Sequence, residues 1–379
     1  MNVPKLRFKG FNDEWKKIQL DSFVDINPKN DSLPEQFIYI DLESVNNGIL
    51  TTRKIINKSE APSRAQRTIK ENDILYQTVR PYQMNNLFVK NFDSDYPYIA
   101  STGYALLRTK ENPYFVYSIL YQKSFVNKVL DMCTGTSYPA ISANDLGTIT
   151  VGLPSLKEQE KISKTLELLD KKIELQSKKI EDLKLFKLYT KNQIFKDYDE
   201  IFKLKDILVK WNKKNKNNSV KYVESISNKY GFISQSDQFE DRNVASKDLS
   251  NYYIIEKGVF GYNPSRLNVG SLALKTNDKV SVVSPLYECF TTSQNNQYLL
   301  EWFDSKYFRK ETISKFEGGV RNTLNFSNLC EIKIGLPTIE KQNKYSRVFK
   351  IFNNKIEFEV KKLYKLQELK KGLMQSMFV

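Results

Sequence analysis

The 379-residue chain carries 59 Lys and Arg against 44 Asp and Glu, a formal net charge of +15, with 40% hydrophobic and 13% aromatic residues. This describes a folded globular protein long enough for two or more cores, and the basic excess favours a polyanionic partner, nucleic acid first. The composition also excludes chemistry: there is no His, which removes Ser-His-Asp and Cys-His catalysis, and Cys133, Cys289 and Cys330 are too few and too scattered for a zinc site or a disulfide framework.

Only 11 of the 59 basic residues are Arg, so a compositional drift toward Lys is the alternative source of the charge. From the N-terminus, Met1 to Lys5 lead into no apolar segment. No run approaches the roughly 18 apolar residues of a membrane helix. A cytoplasmic protein with reduced thiols and no membrane partner is therefore expected.

Residues 1–152 read as a mixed α/β domain. Phe37–Ile40 and Asp73–Tyr76 are strand-like, and Pro113–Tyr121 is helical. Residues 153–198 read as one long helix. Residues 199–335 form a second α/β domain, with strand-like Tyr253–Ile255 and Val282–Val283 and helical Leu299–Phe303. Residues 336–379 read as a second long helix.

The two helical segments repeat one another. Residues 152–195 match 335–378 at a single offset of 183 without a gap, with 14 identities in 44 positions. The identities include Gln159 with Gln342, Lys172-Ile173-Glu174 with Lys355-Ile356-Glu357, Leu183 with Leu366, and Phe195 with Phe378. The match continues upstream: Gly135–Ile141 aligns with Gly318–Leu324, and Leu20–Val24 resembles Leu204–Leu208. The chain is thus a tandem of two similar halves.

Each helical copy has Pro154 or Pro337 near its start, where a missing N–H costs little. In the first, Ile162, Leu166, Leu169, Ile173, Gln176, Ile180 and Leu183 step by four and three. In the second, Tyr345, Phe349, Phe352, Ile356, Glu359, Leu363, Leu366, Leu373 and Met377 follow the same ladder, broken at Lys370. This is a coiled-coil seam, and about 40 residues of helix would span about 60 Å. The polar break shared by Gln176 and Glu359 points to pairing of the two helices, antiparallel because a globular half stands at the start of each. The alternative is two helices packed on separate cores.

A family resemblance follows from these residues. Gly135…Ile141…Leu146…Leu153-Pro154…Glu158-Gln159, repeated as Gly318…Leu324…Leu329…Leu336-Pro337…Lys341-Gln342, resembles type I restriction-modification DNA specificity subunits. The opening from Val3 to Leu20 and the ending from Leu369 to Phe378 are similar to such proteins too, so the resemblance covers the whole chain. It departs at Lys191–Phe195, which is less like the family's helix end than the second copy.

The resemblance implies an α+β architecture. Two mixed α/β target-recognition domains would be separated by two long helices pairing as an antiparallel coiled coil, with a pseudo-twofold internal repeat. Each domain would read one half of a split, asymmetric site in double-stranded DNA, and helix length would set the gap between the halves. Two methyltransferase subunits and two restriction/translocase subunits would be the partners. S-adenosylmethionine, and ATP with magnesium, would be bound by those partners and not by this chain. No Asn/Asp-Pro-Pro-Tyr/Phe loop, glycine-rich cofactor loop or phosphate loop is present; the nearest string is Asn263-Pro264-Ser265-Arg266. The chain is accordingly expected not to be an enzyme and to bind no metal. The competing readings are a specificity protein of a methyltransferase-nuclease fusion system and a non-specific basic DNA-binding scaffold.

Arg suits guanine and Asn or Gln suits adenine in direct readout. In the first half, Arg80, Gln83 and Asn85 follow a strand-like run, and Thr136, Ser137 and Tyr138 form a second candidate loop. In the second half, Asn263, Arg266 and Asn268 occupy the matching place, and Arg321 and Asn322 parallel the other loop. An ordinary solvated turn is the alternative for each. Lys213, Lys214 and Lys216 are candidates for phosphate contacts, which position without specifying.

Overall fold

A computed structural model describes residues 3–29, 32–90, 94–228, 230–235, 248–313 and 323–379, without the side chains of residues 268 and 269. They divide into two units: Met1–Ser177 with Lys361–Val379, and Lys178–Val360.

In the first unit, strand Lys16–Gln19 pairs antiparallel with Thr150–Leu153. A four-stranded sheet runs in the order Val24–Ile26, Tyr104–Thr109, Ile74–Gln77, Leu87–Phe88. Helices α1 (Pro113–Ile119), α2 (Lys123–Met132) and α3 (Ala143–Thr148) follow. The sheet and helices close on a core containing Ile74, Tyr76, Leu107, Phe115, Phe125 and Leu146. A second sheet, in the order Lys54–Asn57, Gln36–Ile40, Tyr98–Ser101, Ala65–Thr68, carries one parallel pair among antiparallel ones.

Helix α4 spans Leu156–Ile194. The second unit then repeats the plan. Glu200–Lys203 pairs with Lys333–Leu336. Its four-stranded sheet has the order Leu208–Lys210, Glu288–Thr292, Phe260–Tyr262, Leu272–Leu274, which matches the first sheet strand for strand. Helices α5 (Asn296–Phe303), α6 (Lys306–Ile313) and α7 (Phe326–Cys330) correspond to α1 to α3, and α8 spans Ile339–Ser376. Leu20 and Leu204, each opening a 3-10 turn after the first strand, are both fully buried. The strands expected at 37–40, 253–255 and 282–283 are present, as are the helices expected at Pro113 and Leu299. The run at 73–76 is a strand shifted by one, Ile74–Gln77.

The two long helices pair antiparallel within each unit. In the first, Lys370 meets Asp170 at 2.6 Å. In the second, Lys179 meets Glu359 at 2.8 Å and Phe186 meets Phe352 edge-on at 5.4 Å, so rising numbers face falling ones. The mixed α/β fold with two paired long helices is the expected one. Two details differ. Pro154 and Pro337 lie before the helices, and what they contribute is a carbonyl rather than a missing N–H: each accepts from a buried glutamine, Gln159 at 3.0 Å and Gln342 at 2.9 Å. The start of each ladder also packs on a globular core, since Ile162 and Leu166 join the first core and Phe349 the second. The polar break is buried: Glu359 is held between Lys179 and Lys355, the latter at 3.2 Å. Buried polar groups at such positions set register more than stability.

Each helix ends by plugging a core. Phe378 stacks on Phe115 and meets Trp15 edge-on in the first unit. Its repeat partner Phe195 meets Tyr298 and Phe349 in the second.

Candidate nucleic-acid interface

The sheet strand Ile74–Gln77 ends in the candidate loop. Thr78 is anchored by its own N–H and hydroxyl, both donating to the Gly103 carbonyl at 3.0 and 2.8 Å. Beyond it the backbone turns sharply. Arg80 and Met84 both have positive φ, 56° and 51°, flanking the 3-10 turn Pro81–Gln83. Non-glycine residues take that conformation only where their surroundings impose it, often at functional sites.

Buried Gln77 organises this loop from inside. Its own N–H donates to Asn86 Oδ1 at 2.8 Å. Its Nε2 donates to the Val79 carbonyl and to Gln83 Oε1, both at 2.8 Å, and its Oε1 accepts from the Asn85 N–H at 3.1 Å. From outside, the Tyr121 hydroxyl is placed against the carbonyls of Met84 and Asn86 at 3.3 and 3.1 Å, and Tyr117 against that of Asn86 at 3.4 Å. Burial raises both phenol pKa values above the ordinary range, so both hydroxyls stay protonated and able to donate. The Asn47-Gly48 hairpin tip closes the arrangement. Asn47 N–H donates to Asn85 Oδ1 at 3.0 Å, and a Cβ on Gly48 would lie 2.7 Å from the Tyr117 hydroxyl.

The second candidate loop of this unit comes to the first. A bridge between Thr134 and Ala140 folds residues 135–139 into a tip, and Arg80 N–H donates to the Pro139 carbonyl at 2.7 Å. The Arg80 guanidinium lies 4.4 Å from the centre of the Tyr138 ring. Tyr138 is 63% exposed, and Thr136 and Ser137 are exposed beside it. So Arg80, Gln83, Asn85, Thr136, Ser137 and Tyr138 share one surface, although Gln83 spends its side-chain oxygen on Gln77 and Asn85 spends its own on the Asn47 hairpin tip.

In the second unit the loop after Phe260–Tyr262 is built more locally. Asn263 Oδ1 accepts from the Ser265 N–H at 3.0 Å and caps the 3-10 helix Pro264–Val269. Arg266 is exposed on it, and Asn268 lies in it. Both loops are tied at the same point: Ile141 N–H donates to the Thr78 carbonyl, and Leu324 N–H to the Pro264 carbonyl, each at 3.1 Å. Arg321 and Asn322 lie outside the described residues. Lys213 is ion-paired with Glu256, while Lys214 and Lys216 are exposed.

The sequence had not marked Gln77, Tyr117 and Tyr121. A polar residue closing the wholly buried run Ile74–Gln77 was the one available sign. Among the described residues no group of three or more His, Cys, Asp or Glu could hold a metal ion. No described helix is long and apolar enough to cross a membrane.

Comparison with known proteins gives this arrangement a context. Residues 12–185 match the family model of the type I restriction modification DNA specificity domain. The chain is 27% identical over 139 residues to the type I restriction enzyme HindI specificity subunit of Haemophilus influenzae; the match covers 35% of this chain and only 30% of that protein. It is 25% identical over 295 residues to the MjaVIII specificity subunit of Methanocaldococcus jannaschii, covering 69% of this chain and 68% of the relative. A solved structure of a type I restriction-modification system S subunit from M. genitalium shares the fold at a TM-score of 0.58 and 16% identity, over 100% of this chain and 99% of that one. A chain from a structure on complex assembly and conformational transition of the type I R-M system shares it at 0.59 and 18%, over 97% and 98%. Residues 12–185 thus match the type I restriction modification DNA specificity domain, and over about two thirds of its length the chain is similar to a type I restriction enzyme specificity subunit.

Proposed function

We propose that each unit reads one half of a bipartite, asymmetric site in double-stranded DNA, and that the chain performs no chemistry itself. Adenine methylation or restriction then falls to two methyltransferase and two restriction/translocase subunits. S-adenosylmethionine, and ATP with magnesium, belong to those subunits. The observation that carries this reading is the pair of equivalent loops. Each follows the same strand of the same sheet and is tied at the same residue of the repeat, Ile141 or Leu324. Each displays a different set of donors on a shared framework. That is what one scaffold reading two unlike half-sites requires, since base contacts specify and backbone contacts only position.

The test is to express Arg80→Ala and Arg266→Ala chains with the cognate methyltransferase and map methylated adenines across a genome. Each change relaxes recognition in one half-site only, by about 1–3 kcal/mol of discrimination at a base pair. Equal weakening toward specific and random duplexes would make that Arg a phosphate contact and defeat the assignment.

A further inference from the structure

We propose that Gln77, backed by Tyr121, is the positioning residue of the first reading loop and so sets which bases that half accepts. This rests on the reading of residues 78–86 as a DNA-contacting loop. Gln77 is 1% exposed and cannot touch DNA. Its amide nevertheless reaches the entry, middle and exit of the loop, at Val79, Gln83 and Asn85. One side chain thus cross-links the loop from within, and Asn86 Oδ1 returns the bond to the Gln77 N–H. Between these anchors stand the two residues of positive φ, Arg80 and Met84. Nothing local makes that conformation favourable for a side-chain-bearing residue, so it is held by the anchors. The Arg80 guanidinium over Tyr138 inherits its direction from that backbone. Tyr121 clamps the exit at the carbonyls of Met84 and Asn86.

Among the described residues of the second unit no buried side chain cross-links the loop in this way. Its loop is held by the Asn263 side chain at Ser265 and by backbone bonds, Asn263 N–H to the Ser271 carbonyl and Leu324 N–H to the Pro264 carbonyl. The inference is therefore asymmetric: altering Gln77 should change one half-site.

Leucine has nearly the volume of glutamine but no amide. Gln77→Leu leaves the Asn85 N–H and the Val79 carbonyl without a partner and frees Arg80 and Met84 to relax. Sites of this kind tolerate displacement of a reading group by only a fraction of an ångström.

The experiment uses the full chain with its methyltransferase partner and reads the methylated sequences for Gln77→Leu, Tyr121→Phe and Arg80→Ala. For Gln77→Leu, discrimination should fall about 5- to 150-fold at positions of the half-site that Arg80→Ala also alters, the range for one lost bidentate contact. The other half-site and the gap should be unchanged. Tyr121→Phe, which removes one hydroxyl and keeps the ring, should shift the same positions less. A residue needed only for folding would lower methylation everywhere and leave the recognised sequence intact, and that result overturns the proposal. An altered sequence for Arg80→Ala beside an unaltered one for Gln77→Leu overturns the positioning role alone. Unaltered sequences for all three defeat the loop's assignment itself. Should Gln77→Leu lose its cooperative melting transition, Tyr121→Phe decides: an unchanged half-site overturns the proposal.

Discussion

Gln159 and Gln342 stand at the root of the two long helices and make the same three bonds. Each accepts from the backbone N–H of a helix-capping asparagine, Asn112 or Asn295, at 3.1 Å. Each donates to a proline carbonyl, and each donates to the side chain before the cap, Glu111 at 2.8 Å or Gln294 at 2.9 Å. One residue earlier the halves diverge. Glu158 is buried and receives a bidentate fork from Arg7 at 2.7 and 2.8 Å. Its counterpart Lys341 is half-exposed and meets Asp197 and Asp199 at 3.3 and 3.1 Å. The physical difference lies in the partner. A glutamine bonded chiefly to backbone answers to the fold, which is shared. An ion bonded to side chains can reverse sign wherever its partners reverse with it.

The sharpest way to break this comparison is at the ion pairs. Arg7→Ala strands a carboxylate that is 1% exposed, and the loss should be about 3 kcal/mol, the low end for a broken buried pair because Arg7 keeps some solvent. Lys341→Ala should cost little, and 0.5 M salt should erase what it does cost, since its partners are in water. Denaturant unfolding of the two variants at two salt concentrations checks both. Equal losses, or a salt-sensitive loss for Arg7→Ala, would mean that the two sites are energetically alike despite their chemistry.

The glutamines predict the opposite pattern, at a smaller scale. Gln159→Leu and Gln342→Leu each leave a buried amide N–H and a proline carbonyl unsatisfied, a loss of about 2 kcal/mol. The two losses should agree within error, each read by amide exchange in the helix whose capping asparagine it holds, α1 or α5. A marked inequality would show that the repeat shares geometry without sharing energetics.

What could be read in advance follows the same division. The repeat, the long helices and their antiparallel pairing were legible because identities at one offset and a four-three ladder are local patterns. The place of a turn after the first-half strand was legible because Arg80, Gln83 and Asn85 follow that strand closely. Gln159 and Gln342 were visible as identities, but their bonds were not, since each reaches a cap 47 residues away. Tyr117 and Tyr121 read as apolar helix residues, and their work on Met84 and Asn86 depends on contacts more than 30 residues distant. Lys370, the flaw in the ladder, is an ion-pair partner of Asp170 across the helix pair. Its repeat counterpart Lys187 bonds instead to Glu301 and Asn353.

That last divergence gives the smallest effect, and it is read by pH. Glu301 is buried beside Lys187 at 2.9 Å, Lys191 at 3.1 Å and the Asn353 amide at 3.1 Å. Burial alone would raise its carboxyl pKa, but Lys191, Lys187 and the Asn353 amide together outweigh burial and hold it below the ordinary carboxylate value. A carboxyl whose folded pKa is depressed binds its proton more readily when the chain is unfolded. Its contribution to stability is therefore complete above the unfolded pKa, about 4.3, and is lost as pH falls through the lower folded value. The position 183 residues earlier is Ser118, which does not titrate; its hydroxyl donates to the Tyr114 carbonyl. Acid should thus loosen α5 through this group, while α1 has no carboxyl at the corresponding position. Amide exchange of the two helices between pH 6 and 3, at 0.5 M salt to screen the exposed Asp197 and Asp199, separates them. In Glu301→Gln the acid-dependent part of α5 opening should vanish and α1 should be untouched. If α5 kept its acid response after that substitution, the response would belong to another carboxylate, and Lys187 and Lys370 would differ only in the partner they touch.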